Sequence, residues 1–206
     1  MMESIGEKPF RARQLWEWIY RSRVLEVDQM KTLPADLRRR LKNDFSFPEW
    51  TCLQQETDST GTTKFLFQLS GGSRIESVVI PSARRLTVCV SFQAGCRFAC
   101  RFCASGVGGL DRDLTCGEIL MQILYAQARE NRRVTHVVFM GTGEPLDNWP
   151  EVKKAIEVIN APEGMDIAAR RITVSTCGII PGMKKMADLG RQIELAVSLH
   201  GYNDEV

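Results

Sequence analysis

Hydrophobic positions follow three different rhythms along the chain. Over residues 8–47, Phe10, Leu15, Trp16, Ile19 and Tyr20 recur at helical spacing. A loop near Val27-Asp28 follows, and Leu33-Pro34 then precedes Leu37 and Leu41 on a second, basic helix carrying Arg38, Arg39 and Arg40. Plain core packing accounts for Trp16 and Ile19. Over residues 51–80 the pattern shortens to that of a β-meander. Strands are predicted at 51–57, 64–69 and 74–80, separated by Asp58-Ser59-Thr60-Gly61 and Gly71-Gly72 and stopped by Pro81.

From residue 86 strands and helices alternate. Buried strands are predicted at 86–90, 135–140, 172–176 and 193–199. Thr115 and Glu118 form a capping box for a helix reaching about Arg129. Asp147 or Asn148, with Pro150 in the first turn, starts a second helix, and Pro181 starts a third. Residues 91–114 read as one long glycine-bearing loop. This order predicts an α/β fold with a parallel sheet, open or closed into a barrel. Three segments follow: a helical domain over 1–47, a β-meander linking or accessory region over 48–85, and the βα series over 86–206. An eight-unit barrel takes about 250 residues, so 86–206 supplies about four units. With no helix behind the fourth strand, the expectation is a core incomplete at its C-terminus, with an exposed sheet edge.

Composition adds little to this picture. Hydrophobic residues at 44% and charged residues at 25% of 206 are ordinary for a globular chain. No apolar run approaches a membrane span, and the first residues lack a secretory pattern. The net charge of +2 is too small to identify a nucleic-acid binder. Its small positive excess sits in 1–47, where a solvated helical surface is the plain alternative to an RNA contact. Seven cysteines, four of them between 89 and 103, point to metal or redox chemistry in a reducing compartment, the cytoplasm, rather than to a disulfide scaffold.

Cys96, Cys100 and Cys103 have the spacing C-x3-C-x2-C, which can wrap a short loop around one metal centre. The spacing alone leaves open zinc, which takes a fourth protein ligand in structural sites, and an iron–sulfur cluster. The loop follows the first strand of the βα series. Gly141-Thr142-Gly143-Glu144-Pro145, Ser175-Thr176-Cys177-Gly178 and Ser198-Leu199-His200-Gly201 follow the next three. Four polar clusters at the C-terminal ends of successive parallel strands are where barrel enzymes place active sites.

With Phe102 before the third cysteine, the motif C-x3-C-x-aromatic-C resembles that of the radical S-adenosylmethionine (SAM) superfamily. The strings Arg84–Ser91, Gln93, Gly95-Cys96, Cys103–Gly106, Met140–Asn148, Val174–Thr176 and Ala196–Asp204, with Phe10–Trp16 near the N-terminus, resemble the RlmN/Cfr family of RNA adenine methyltransferases. The carbon-2 methylating RlmN branch is the closer fit. The resemblance implies a partial TIM-type radical SAM barrel and a [4Fe–4S] cluster on Cys96, Cys100 and Cys103, with SAM on the fourth iron. It implies SAM contacts from Gly143, Glu144, Ser175, Ser198, Leu199 and His200. Cys89 would form a transient disulfide during turnover, and Glu76 would accept a proton. Without the resemblance, Cys89 reads as a buried inert thiol and Glu76 as the solvent side of a strand.

The implied reaction methylates carbon 2 of adenosine in 23S rRNA and tRNA. A C-terminal cysteine carries the methyl group, and a flavodoxin or ferredoxin supplies electrons to a monomer that needs no membrane. That C-terminal cysteine has no counterpart here, and Cys116 and Cys177 do not match it. The chain as given is therefore expected to bind the cluster without completing methylation. Thr142, Phe92 and Phe98 depart from the usual residues without touching a ligand position. Two other readings of the motif are a carbon-8 methylating enzyme and a zinc-stabilised RNA-binding module.

Overall fold

The computed structural model describes residues 5–98, 100–199 and 201. Two short helices begin the chain, α1 (Phe10–Trp16) and α2 (Ala35–Asp44), and α1 runs on through a π-helical turn at Glu17–Arg21. Leu15, Met30, Leu33, Leu37 and Leu41 form their own small core. Phe10, counted in the sequence stripe, is half-exposed, with the Arg11 guanidinium 4.6 Å from its ring centre.

Strands β1 (Trp50–Thr57), β2 (Thr63–Leu69) and β3 (Arg74–Pro81) form the meander. β2 alternates buried Phe65, Phe67 and Leu69 with outward Lys64, Leu66 and Gln68, the period-2 pattern of a sheet covered on one face. β4 (Leu86–Cys89) pairs antiparallel with β3, so the meander and the βα series share one sheet. The remaining elements of that series are helix α3 (Cys116–Arg129), strand β7 (His136–Phe139), helix α4 (Trp149–Asn160), strand β8 (Ile172–Thr176), helix α5 (Ile180–Ala187) and strand β9 (Glu194–Val197). The seven-stranded order is β1-β2-β3-β4-β7-β8-β9, with β4, β7, β8 and β9 mutually parallel. These four strands, with α3, α4 and α5 between them, supply three βα units and the strand of a fourth, in line with the about four expected from the pattern.

The register divides the sheet into two faces. Val88, Val137, Phe139 and Val174 point to the core shared with Ile119 and Ile123 of α3 and Val152 and Ile156 of α4. Each of these side chains is fully buried, and full burial of such a residue contributes about 1.5–3 kcal/mol. Cys89 pairs with Val78 on one side and Val138 on the other, and Val138 pairs with Thr173. Paired residues and residues two apart share a face. Glu76, Cys89, Val138 and Ser175 therefore lie together on the face opposite α3 and α4.

The segment after β4 differs from the long loop expected there. It contains a two-stranded hairpin of β5 (Gln93–Gly95) and β6 (Leu110–Asp113). The cysteine motif is the connection between these strands, pinned where Cys96 N–H donates to Gly109 O at 2.9 Å. Gly95 has φ +77°, and a Cβ there would lie 2.0 Å from Gly109 O, so only glycine lets the two ends of the loop meet. The capping box is present as read: Thr115 accepts from Glu118 N–H, and the Glu118 carboxylate accepts from Thr115 N–H.

Candidate active site

A cavity of about 500 Å³ opens at the C-terminal ends of β4, β7, β8 and β9. Cys96, Cys100 and Cys103 border it together with Gly143, Glu144, Ser175 and Ser198. Phe92, Phe98, Phe102 and Met140 supply apolar walls. The sequence clusters from four separate strand ends thus meet in one place. Ser175 Oγ and Ser198 Oγ lie 3.3 Å apart. Leu199 is largely exposed, and His200 lies outside the described residues.

Buried amide and carboxylate side chains hold the site together. Glu144 is almost fully buried. Its Oε1 accepts from Leu146 N–H at 3.1 Å and its Oε2 from Cys177 N–H at 2.8 Å, which ties the turn after β7 to the turn after β8. A carboxylate has about four lone-pair sites, so Glu144 keeps acceptor capacity toward the cavity. Gln93 Oε1 accepts from Glu144 N–H at 2.8 Å, while its Nε2 donates to Asp113 and Asp147. Asn148 stands at the start of α4 without capping it. Its Nδ2 instead donates to Phe92 O at 2.7 Å and Leu114 O at 2.8 Å. Gln122 of α3 exchanges two hydrogen bonds with the Ser91 backbone. A Cβ on Gly141 would lie 2.7 Å from Ser91 N, so the glycine permits close packing of the two turns. These supports escaped the sequence reading because their partners are remote in the chain; the run of polar residues through Ser91 and Gln93 on a buried stretch was the available signal.

Thiol acidity follows desolvation together with nearby carboxylates and thiols. Burial pushes the Cys89 thiol up to about 11, so it is protonated at neutral pH. The Cys96 thiol is raised first by burial and then by its proximity to Cys100, Cys103 and Glu144. Burial, with Glu144 and Cys100 nearby, pushes Cys177 up to about 12. All seven cysteines are free thiols, so the transient disulfide expected of Cys89 has no counterpart in this structure. Cys89 and Glu76 do not border the cavity. Glu76 is half-exposed and pairs with Lys64 at 3.2 Å, and its backbone oxygen accepts from Ser91 Oγ at 2.5 Å.

Residues 90–206 match the radical SAM superfamily. The chain belongs to that superfamily. Residues 1–46 match the ribosomal RNA large subunit methyltransferase N-terminal domain. The chain is 46% identical over 209 residues to the probable dual-specificity RNA methyltransferase RlmN of Akkermansia muciniphila, covering 98% of this chain and 58% of that protein. It is 46% identical over 212 residues to the protein of that name from Symbiobacterium thermophilum, covering 100% of this chain and 56% of the relative. A crystal structure of a radical SAM methyltransferase from Sphaerobacter thermophilus superposes with a TM-score of 0.92 at 40% identity, over 99% of this chain and 61% of that one. The chain thus spans a little over half the length of these RlmN relatives. Their names and this fold agree with the resemblance read from the sequence motifs.

As a radical SAM site, the cavity has a suitable donor set. Three thiols of one loop border it, and hydroxyls and a carboxylate stand with them. Among the described residues no three His, Cys, Asp or Glu side chains converge closely enough to hold a single ion. Cys96, Cys100 and Cys103 line the cavity. Also among the described residues, no helix is long and apolar enough to cross a membrane.

Proposed function

We propose that this chain carries the catalytic core of a methyltransferase acting on carbon 2 of adenosine in 23S rRNA and tRNA. The observation that carries the reading is the meeting of Cys96, Cys100 and Cys103 with Glu144, Ser175 and Ser198 around one cavity at the parallel strand ends. Similarity to the dual-specificity RNA methyltransferase relatives supports the choice of RNA, and the motif resemblance to the RlmN branch supports carbon 2. The three cysteines would hold a [4Fe–4S] cluster. Held there, such a cluster would supply one-electron reduction of bound SAM, with the electron drawn from a flavodoxin or ferredoxin.

The chain's own residues bind and orient. Glu144 keeps a charged acceptor for the SAM ammonium, and a charge-assisted bond of this kind is worth about 1.5–3 kcal/mol. Ser175 and Ser198 offer adjacent hydroxyls to the remaining polar groups of SAM, and Gly143 lets its backbone approach them. Leu199 and His200 would complete that contact. Phe92, Phe98, Phe102 and Met140 give the cavity apolar walls against which SAM can pack. Cys89, protonated at neutral pH by burial, and Glu76 share the sheet face of Ser175, where an adenine entering from the open face would meet them. A thiol in that state needs a nearby base before it acts as a nucleophile. Glu76, whose carboxylate among the described residues pairs with Lys64, is placed to accept a proton.

The test is anaerobic reconstitution with iron and sulfide. The wild-type chain is expected to gain the visible absorption of a cluster and, with dithionite, to release 5′-deoxyadenosine from SAM. Cys96→Ala, Cys100→Ala and Cys103→Ala are each expected to lose both. A full cluster in all three variants refutes the ligand assignment, and stoichiometric zinc without sulfide refutes the enzyme. Mass mapping of adenosines in rRNA and tRNA from cells with and without the gene separates carbon 2 from carbon 8.

A further inference from the structure

Three neighbouring parallel strands are each entered through a pair of arginines. Arg84-Arg85 directly precede β4, Arg132-Arg133 come shortly before β7, and Arg170-Arg171 directly precede β8. Because β4, β7 and β8 are adjacent and parallel, all three pairs lie at the same end of the sheet. This is the end opposite the SAM cavity. The guanidinium of Arg132 donates to the Ser82 and Ala83 carbonyls, and that of Arg133 to Met165 O, Asp166 O and the Asp166 carboxylate.

The other four arginines, with Thr135 and His136, line a cavity of about 340 Å³ that has no carboxylate in its wall. Among the described residues their guanidinium groups make no hydrogen bond or ion pair. The potential there is uncompensated: His136 is held below the ordinary histidine range by burial and then by Arg85 and Arg171. Its Nδ1 lies 2.9 Å from Thr135 Oγ1. Gathering unpaired cations is unfavourable in the free protein, and an anion with several acceptor oxygens relieves it. The rigid guanidinium fork matches phosphate oxygens two at a time.

We infer that this arginine row at the strand-entry end binds the phosphodiester backbone of RNA, apart from the catalytic cavity. The row favours a polymer over a single small anion. Parallel strands lie about 4.8 Å apart, so the pairs before β4 and β8 are roughly 10 Å apart, with β7 between them. A continuous strand of phosphates meets such a spread, while one small ion meets only part of it. The choice of RNA rests on the function proposed above. The row differs in its partners from Arg38, Arg39 and Arg40, where the sequence placed an RNA contact. Arg38 donates to Asp28 O at 2.7 Å, Arg39 pairs with Asp36, and Arg40 donates to Ile5 O, so these three are engaged within the N-terminal unit.

The experiment measures binding of a fluorescein-labelled tRNA transcript by anisotropy across a potassium chloride series. It compares the chain with R84Q/R85Q, R170Q/R171Q and the fourfold variant. Phosphate contacts release counterions, so log affinity falls with log salt by about 0.7–0.9 per contact. The fourfold variant is expected to bind roughly tenfold more weakly at low salt and to flatten this slope by about 2 or more, with each double variant between. The four Arg→Lys changes keep the charge and are expected to keep most of the slope, which separates a charge effect from misfolding. An unchanged slope in the fourfold variant overturns the inference, as does pyrophosphate binding at these arginines with no loss of RNA affinity. SAM binding by the reconstituted protein is measured separately and is expected to be unchanged. A chain that fails to bind a cluster but shows the slope change retains the arginine site and loses the proposed enzyme function.

Discussion

Replacing Glu144 by glutamine tests the clamp between the turns after β7 and β8. The carboxylate accepts from two main-chain donors, Leu146 N–H at 3.1 Å and Cys177 N–H at 2.8 Å. Glutamine keeps one acceptor oxygen and turns an NH₂ group toward the other donor. One hydrogen bond to a charged group is lost, about 1.5–3 kcal/mol, and a buried N–H is left unpaired, about 1–3 kcal/mol. Relief of the buried charge offsets part of this, leaving roughly 2–4 kcal/mol. For a chain of this size each kcal/mol moves Tm by about 2–4 °C, so thermal unfolding followed by circular dichroism should fall by roughly 5–15 °C. Cys177→Ala keeps the main-chain donor and is expected to shift Tm less. SAM affinity of the reconstituted chain should fall at least about tenfold, equivalent to about 1.4 kcal/mol. A Tm for Glu144→Gln indistinguishable from wild type refutes the clamp. A lowered Tm with unchanged SAM affinity keeps the clamp and removes Glu144 from SAM binding.

Three further outcomes are expected. Gly95→Ala combines left-handed strain of about 1–3 kcal/mol with a clash against Gly109 O, and should prevent cluster loading; full loading by iron analysis refutes the hairpin constraint. Glu118 makes a two-bond pair with Arg112 at 2.6 and 2.9 Å. Burial raises its carboxyl, but Arg112 and Thr115 outweigh that and leave it below the ordinary glutamate range. Its stabilising contribution is therefore present above the unfolded-state pKa near 4.3 and lost as pH falls through the lower folded value. Melts from neutral to acid pH should show a shallower loss in Glu118→Gln, and equal pH dependence refutes the pairing. Cys89, with its thiol at about 11, should resist iodoacetamide near neutral pH and react as pH rises toward that value; complete labelling at neutral pH by peptide mass mapping contradicts its burial.

Features whose partners are close in sequence were legible. The capping box at Thr115 and Glu118 needs only three residues of spacing, and the four strand-end clusters showed because each follows an apolar run. The hairpin was not legible. β5 has three residues and β6 reads Leu-Asp-Arg-Asp, so neither carries the alternation that marks a strand. Asn148 was read as a helix start, which fixes its position but not its use; its acceptors, Phe92 O and Leu114 O, lie 56 and 34 residues away in the chain. Local windows show Arg84-Arg85 and Arg170-Arg171 only as separate pairs. Only the parallel register of β4, β7 and β8 brings them to one end.

The hydrogen bonds around Gln93 and Asn148 also bear on how the site opens. Phe92 N–H and Gln93 N–H both donate to Thr142 O, Thr142 N–H donates to Ser91 Oγ, Glu144 N–H donates to Gln93 Oε1, and Leu114 N–H donates to Phe92 O. Each turn supplies the acceptors of another, so none can detach alone without stranding buried groups in its neighbours. These five amides should therefore exchange with solvent deuterium as one cooperative unit, with a common opening free energy. Fraying at Leu199 or at the β9 edge would leave that unit closed. The side of the cavity built from the turns after β4 and β7 then behaves as a single folding unit, present or absent as a whole.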